Sequence, residues 1–286
     1  MKKVTIFVFL LLIVALLSGC VNIFSIPSYT DQDKYLIGNQ EYEGELDTLD
    51  INWLFGKVKL IEDENATKII VREENELPDT LKVHSYFVDG KLYIKFGEAG
   101  YKGSGIKSSE KSLEITYKSL KNINIELTSG AVYADKINAD VAKIGLTSGS
   151  VNVDTLNVPT IIASITSGKF SINNLSANDA TFKMTSGSIN VDSSYIDKLN
   201  CELSSGSCNF NLKSCKDATF KATSGTITLT IPDDIKTKIT LNKTSGGLRT
   251  QKTFTRVDKE YTFGPMDADI NSTITINMTS GSVVIK

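Results

Sequence analysis

The stretch Leu127-Thr128-Ser129-Gly130 is the first clear copy of a phrase that recurs through the second half of the chain. Thr-Ser-Gly, or Ser-Ser-Gly in one copy, is followed two residues later by an apolar residue. A fixed period of this length is typical of repeat proteins, in which each unit packs on its neighbours. The first six copies are 19 residues apart and the last two follow after steps of 21 and 35; their glycines are Gly130, Gly149, Gly168, Gly187, Gly206, Gly225, Gly246 and Gly281.

Apolar residues on both sides of each glycine are spaced by two, which is the period of a β-strand and not of a helix. One unit cannot bury its own apolar side, but stacked units can pair their strands and merge their apolar residues into one core. An antiparallel sandwich would need hairpin turns about every 8–12 residues, whereas the strong turn recurs once per repeat. The sequence therefore predicts an all-β parallel β-helix, or β-solenoid, with about three short strands in each 19-residue rung and an irregular N-terminal cap.

The Thr-Ser-Gly phrase is interpreted as architecture. Glycine enters backbone angles that other residues adopt only at a cost, and Ser and Thr side chains bond to nearby backbone groups in turns. We therefore expect each copy to form a corner of the solenoid. Lys243 interrupts an otherwise apolar file, so the last rungs depart from the regular pattern.

The first 50 residues predict export and attachment to a membrane. A positively charged start precedes an apolar run, residues 4–17, that is too short for a comfortable membrane span. The run ends in Leu17-Ser18-Gly19-Cys20, which resembles the lipobox of bacterial lipoproteins and implies a diacylglyceryl group on Cys20. The alternative is an ordinary signal peptide with an incidental cysteine. We assign residues 1–19 to the signal peptide and residues 20–50 to the lipidated cysteine and a tether.

The rest of the chain divides into an N-terminal cap, residues 51–120, and the repeat solenoid, residues 121–286. In the cap, Phe55-Gly56 stands where Ser-Gly would be, and Asp89-Gly90 predicts a hairpin turn. His84, the single histidine, is expected to be a solvated strand residue.

An insert near residues 249–270 interrupts the solenoid, and a hairpin around Asp258-Lys259 is predicted within it. Insertions in solenoids often lie on the functional face. Phe254, Arg256 and Tyr261 are therefore candidate contact residues, although packing over the last rungs would explain them equally well.

A stripe of Asn and Asp residues follows the second apolar file of several rungs. Such side chains can coordinate a hard cation such as Ca²⁺ or hydrogen-bond a sugar. The structural alternative is stronger, because Asn and Asp are preferred in turns where they bond the local backbone. The candidate binding residues in this stripe are Asp135, Asn152, Asp154, Asn190 and Asp192.

A flat ice-binding face does not fit the outward residues of the repeat. Thr recurs two residues before the glycine, but the neighbouring outward file mixes charges. That file is Glu126, Gly145, Ser164, Lys183, Glu202 and Lys221.

Neither a catalytic nor a metal-binding constellation can be placed in the sequence. The cysteines other than Cys20 fall in inward files, so we expect them to be small buried hydrophobic residues without a metal site. A disulfide within the coil is the alternative. A Ser–His–Asp arrangement cannot be assembled either. We predict no cofactor, no metal and no catalytic residues; the inward cysteines are Cys201, Cys208 and Cys215.

The repeat also resembles a known family. Leu146-Thr147-Ser148-Gly149-Ser150-Val151-Asn152-Val153 and Met184-Thr185-Ser186-Gly187-Ser188-Ile189-Asn190-Val191 are similar to the repeat of DUF4097, a family described as "putative adhesin". The resemblance covers roughly residues 51–286. It implies a β-solenoid at the bacterial cell surface, sometimes linked to envelope stress, and supplies no catalytic residues.

These patterns favour a lipid-anchored, non-enzymatic binding or scaffold protein outside the cytoplasm. Its expected partners are the membrane, through Cys20, and either envelope polysaccharide or surface proteins. The net charge of −2 gives no basic footprint for nucleic acid. Two alternatives stay open: a carbohydrate-active enzyme on a β-helix, and an envelope-stress sensor whose ligand binds at the insert.

Overall fold

The computed structural model describes residues 24–104 and 106–286 and confirms the predicted β-solenoid. Rungs stack in parallel, with each residue opposite its counterpart in the next repeat. Leu127 lies opposite Leu146, and Leu146 lies opposite Ile165. This register stacks equivalent apolar residues, so they merge into one continuous core. The predicted signal peptide and Cys20 lie outside the described residues.

Each rung has three sides, because the strand ladder is interrupted twice between corner glycines. In one rung the pairing covers residues 169–172, 174–177 and 179–184. In this rung, residues 169–172, directly after the corner glycine, form the side that we call face B. Residues 174–177 form face C, and residues 179–184, which lead into the next Thr-Ser-Gly corner, form face A. The number of short strands per rung is as predicted.

The corner glycines are required by both backbone angle and space. Nine of them stack along the solenoid with φ between 92° and 140°, a range that favours glycine. A Cβ atom on Gly187 would lie 2.1 Å from the carbonyl oxygen of Gly168 in the rung before it. The nine, in spatial order, are Gly56, Gly130, Gly149, Gly168, Gly187, Gly206, Gly225, Gly281 and Gly246.

The N-terminal cap begins earlier than the predicted boundary at residue 51. Its strands are β1 (Phe24–Ser25), β2 (Leu36–Ile37), β3 (Gln40–Tyr42), β4 (Thr48–Trp53), β5 (Lys57–Glu62), β6 (Ile69–Glu73), β7 (His84–Val88), β8 (Lys91–Lys95), β9 (Lys102–Gly103) and β10 (Ser112–Tyr117), with short 3-10 helices at Gln32–Lys34 and Ser108–Glu110. The tether prediction is wrong for residues 24–50, because this segment pairs with the cap and buries Ile26 and Leu46. At the N-terminal end of the solenoid, β7 pairs antiparallel with β8 of face A. On face B, β6 pairs antiparallel with β10.

Two local predictions for the cap have opposite outcomes. The hairpin turn is present between β7 and β8, with positive φ at Asp89 and Gly90. His84 is buried, with 5% of its surface exposed, so the expectation of a solvated histidine is wrong. Ile37 of β2 pairs opposite His84. The ring Nδ1 of His84 lies 2.9 Å from the Lys82 carbonyl oxygen.

The regular rungs carry the core. Their strands are β11 (Asn122–Leu127), β12 (Ala131–Asn138), β13 (Val141–Leu146), β14 (Ser150–Asn157), β15 (Thr160–Ile165), β16 (Lys169–Met184), β17 (Ser188–Leu203), β18 (Ser207–Ala222) and β19 (Thr226–Thr230). Phe182 packs edge-on against Phe170 and Phe210, with ring centroids 5.7 and 5.5 Å apart. As predicted, the inward cysteines are buried and free; burial raises the pKa of Cys215 to about 12.

The last rungs do not stack in chain order. Their strands are β20 (Thr237–Lys243), β21 (Gly247–Thr250), β22 (Phe254–Val257), β23 (Glu260–Phe263), β24 (Ser272–Met278) and β25 (Ser282–Ile285). The C-terminal rung, β24 and β25, lies between β18–β19 and the earlier rung, β20–β21. The predicted hairpin, β22 and β23, pairs antiparallel with β20 and covers the end of face A. Lys243 is exposed there and donates to the Gly246 carbonyl oxygen at 2.6 Å.

A buried ion pair lies inside the N-terminal cap. Lys111 is fully buried, pairs with Glu73 and donates to the Leu81 carbonyl oxygen. Its ammonium nitrogen lies 4.7 Å from the ring centroids of both Trp53 and Phe96. Burial lowers the pKa of Lys111 to about 8, although Glu73 acts in the opposite direction. The cap therefore depends on a desolvated charge pair.

Candidate functional site

A groove of about 850 Å³ runs along the outward side of face A over six adjacent rungs. We call it the face A groove. Its floor consists of the residues four and two before the corner glycines, which alternate with buried ones along the strand. At about 4.8 Å between rungs, it is about 24 Å long. The floor residues, in spatial order, are Ser164 and Thr166, Lys183 and Thr185, Glu202 and Ser204, Lys221 and Thr223, Asn277 and Thr279, and Asn242 and Thr244.

The face A groove is basic although the chain as a whole is slightly acidic. Lys183, Lys221, Lys243 and Lys259 line it together with one carboxylate, that of Glu202. Four lysines and one carboxylate give a local net charge of +3, against −2 for the chain. The lining of the groove is therefore locally positive.

Glu202 is held between two of these lysines. The Lys221 ammonium nitrogen lies 3.0 Å from a Glu202 oxygen, and Lys221, followed by Lys183, lowers the pKa of this carboxyl. Glu202 is therefore ionised at neutral pH and offsets the charge of Lys221. Lys183, Lys243 and Lys259 form no ion pair with the residues that the structure describes.

The order of the last rungs completes the groove. The rung of β24 places Asn277 next to Lys221, and β20 then adds Asn242 and Lys243. The hairpin turn lies beside β20, where the Leu241 amide donates to the Lys259 carbonyl oxygen at 2.9 Å. Lys243 and Lys259 therefore lie at the groove because the last rungs stack in this order.

A smaller depression, of about 180 Å³, lies on the same side of face A near the N-terminal cap. Tyr29, Asn52, Lys95 and Glu126 contribute to its lining. Burial, followed by the charge of Asp50, raises the pKa of Glu126, and burial lowers the pKa of Lys95. Gly145, which follows Glu126 in the outward file, adds no side chain between this depression and the face A groove.

The predicted Asn/Asp stripe lies on face B and at its corner with face C. Asn152 and Asn190 point outward on face B, while Asp135, Asp154 and Asp192 stand exposed at the corner. Two of the five candidates bond to the next rung: Asn209 donates to Asn190 at 2.7 Å, and Asn173 donates to Asp154 at 2.7 Å. Asn152 and Asn190 share a shallow depression of about 410 Å³ with Asp192. Side chains that pair between rungs act as a structural ladder.

The two strands of the hairpin differ in exposure: every residue of β22 is exposed, whereas Tyr261 and Phe263 of β23 are buried. Tyr261 is 7% exposed, and the Arg256 guanidinium lies 5.2 Å from its ring centroid. Phe254, which is half-exposed, packs against the same ring. Packing over the last rungs therefore explains the position of Tyr261, while Phe254 and Arg256 remain exposed.

Within residues 24–104 and 106–286, no three side chains of His, Cys, Asp or Glu are grouped so that they could hold a metal ion. The same part of the chain contains no helix of the length and apolarity that crossing a membrane requires.

The sequence signal for the groove is weak. Lys183 and Lys221 occupy the same repeat position in alternate rungs, and this relation becomes visible when the repeats are aligned on their glycines. Lys243 and Lys259 join them only because the last rungs stack out of chain order. No pattern in the sequence predicts that order.

Residues 57–286 match the sequence model of the Toastrack DUF4097 family. The match covers most of the chain and includes every Thr-Ser-Gly or Ser-Ser-Gly corner. The chain therefore belongs to this family, as its repeat predicted. Among curated proteins, none matches the chain in sequence.

Solved structures of three bacterial proteins share the fold. A "putative adhesin" from Bacteroides fragilis has 12% identity and a TM-score of 0.50, over 88% of this chain and 97% of that one. One from Parabacteroides distasonis has 14% identity and a TM-score of 0.50 over the same shares. One from Parabacteroides merdae has 13% identity and a TM-score of 0.51, over 87% and 96%. At this identity the likeness shows the fold alone.

Proposed function

We propose that this Toastrack DUF4097 protein is a lipid-anchored, non-enzymatic binding protein of the bacterial envelope that holds a linear polysaccharide in the face A groove. The groove itself carries the proposal, because it is open, polar and aligned with the stack for about 24 Å. Its floor repeats hydroxyl and amide groups at rung spacing, which suits the repeated hydroxyl groups of a sugar polymer. The "putative adhesin" names of the similar structures are consistent with a surface role.

A binding role is favoured over catalysis by the charges of the groove. Glycoside hydrolysis generally uses two carboxyl groups on either side of the bond to be cleaved. Glu202 is the one carboxylate among the described lining residues, and it is paired with Lys221. A hydrolytic site is a second candidate only near the cap, where the charge of Asp50 contributes to the raised pKa of Glu126.

Binding without turnover is the expected result with envelope polysaccharides. Full-length protein, purified in mild detergent, should bind an immobilised polysaccharide fraction of bacterial envelopes saturably and release no new reducing ends. Absence of binding would contradict the proposal. New reducing ends that disappear in the Glu126→Gln variant would establish the enzymatic alternative instead.

If Cys20 carries the lipid anchor, a variant without this thiol should leave the membrane fraction. Replacing Cys20→Ser should move the protein from the membrane to the soluble extracytoplasmic fraction and abolish labelling by radioactive palmitate, because the acylated thiol is lost. Cys215→Ser is the matched control, since this buried thiol should not affect labelling. An unlabelled wild-type protein would favour an ordinary signal peptide.

A further inference from the structure

We infer that the polymer held in the face A groove is acidic, with carboxylate or phosphate groups repeated along its length. This inference rests on the proposed function and specifies its ligand. Three lysines without carboxylate partners among the described residues face one open groove. An ammonium group attracts either kind of anion and hydrogen-bonds to it.

Three of the four groove lysines recur at every second rung. Lys183 and Lys221 lie two rungs apart, and Lys243 lies two rungs beyond Lys221 because the rung of β24 stands between them. Alternate rungs are about 10 Å apart. Cations at this interval suit a polymer with repeated anions. An anion bound at Lys221 competes with Glu202 for the same ammonium group.

The lysines and the hydroxyl groups have different expected roles. Each ammonium in an open groove contributes little alone because water and salt screen it. Several contacts along one chain act together, since the first contact raises the effective concentration of the next charged group. The neighbouring hydroxyls of Thr185, Thr223 and Thr279 lie in the same floor and can bond the uncharged groups of the polymer.

Exposed carboxylates mark one corner of the solenoid away from face A. Asp135, Asp154 and Asp192 are exposed at the corner between faces B and C. These carboxylates disfavour an acidic polymer at that corner. The exposed lysines of faces B and C, Lys57, Lys169 and Lys213, are tested by the control variant below.

Three defined polymers of matched length test this inference on full-length protein in mild detergent. Polygalacturonate carries carboxylates, a phosphomannan carries phosphates, and dextran is neutral. We expect at least one of the two acidic polymers to bind at least about tenfold more tightly than dextran, and its binding to weaken as salt is added. Which acidic polymer binds more tightly identifies the anion.

Two variants and a matched control assign the binding to the groove. Lys183→Gln/Lys221→Gln/Lys259→Gln should weaken acidic-polymer binding by on the order of tenfold. Removing the opposing charge with Glu202→Gln should strengthen it by about threefold, a gain that misfolding cannot produce. The control, Lys57→Gln/Lys169→Gln/Lys213→Gln, removes three exposed lysines from other faces and should bind like the wild type.

The outcomes separate the inference from the proposed function. Dextran binding as tightly as both acidic polymers, or a groove variant that binds like the control, would overturn the inference while leaving polysaccharide binding intact. Failure of all three polymers, together with failure of the envelope polysaccharide fraction, would overturn both.

Discussion

Replacing Gly187→Ala is expected to lower the free energy of unfolding by about 3 kcal/mol or more. Gly187 has φ of 112°, and a Cβ atom would lie 2.1 Å from the carbonyl oxygen of Gly168. The clash is with backbone in the adjacent rung, so a rotamer change cannot relieve it. Both rungs must separate locally, which disrupts the ladder at the corner. Urea denaturation followed by circular dichroism measures the loss.

Gly247→Ala is the matched control for this substitution. Gly247 lies directly beyond a corner, but a Cβ atom there meets nothing within 4 Å and its φ is not in the left-handed region. We expect a change within about 0.5 kcal/mol, as for most surface substitutions. Equal losses for the two variants would show that the stacked corner imposes no special constraint.

Lys111→Ala is expected to destabilise the protein by about 3–5 kcal/mol, because it leaves the buried carboxylate of Glu73 without its cation. The change also removes the contact of the ammonium with Trp53 and Phe96. The double variant Glu73→Gln/Lys111→Met should recover much of the loss, since it removes both charges and keeps an acceptor for the Val83 amide. A double variant no more stable than Lys111→Ala would contradict this role for the ion pair.

The pH dependence of stability provides a second test of the Lys111–Glu73 pair. The pKa of Lys111 is about 8 in the folded protein and 10.5 in an unperturbed lysine. Between these values the unfolded chain binds more protons, so stability should rise with pH. We expect the wild type to gain about 2 kcal/mol relative to the double variant between about pH 7.5 and about pH 9.5. Raised tyrosine pKa values act against this rise equally in both proteins.

Most of the fold could be predicted because repetition amplifies a weak local signal. One Thr-Ser-Gly is an ordinary turn, but its recurrence at one interval fixes the register in which Val132 stacks on Val151 and Val151 on Phe170. The same register buries Cys201 and Cys208. Each of these positions is decided by local period and by pairing with the nearest rung.

The ends could not be predicted in the same way because tertiary pairing decides them. His84 begins a strand that pairs with Ile37 of β2 on one side and with Lys95 of β8 on the other, and its local sequence shows neither pairing. The order of β20 and β24 depends on which rung meets the exposed edge of β18. Both segments have suitable strand patterns, so periodicity does not distinguish them.

Most of the candidate site could not be predicted from the sequence, because tertiary pairing also decides its position. The sequence directs attention to Asp154 and Asn190 because amide and acidic residues suggest binding, but each accepts a hydrogen bond from an Asn side chain of the next rung. Lys243, which the repeat pattern shows as a misplaced inward residue, instead lies exposed at the end of the groove. Its role follows from the terminal rung, where the apolar file has no further rung to cover it.

The most direct test of the face A groove is the reactivity of each lysine toward an acetylating reagent, measured by mass spectrometry with and without the acidic polymer that binds more tightly. Bound polymer should protect Lys183, Lys221, Lys243 and Lys259 and leave the exposed Lys57, Lys169 and Lys213 as reactive as before. Protection of the lysines on faces B and C, or equal protection over the whole surface, would contradict binding in the groove.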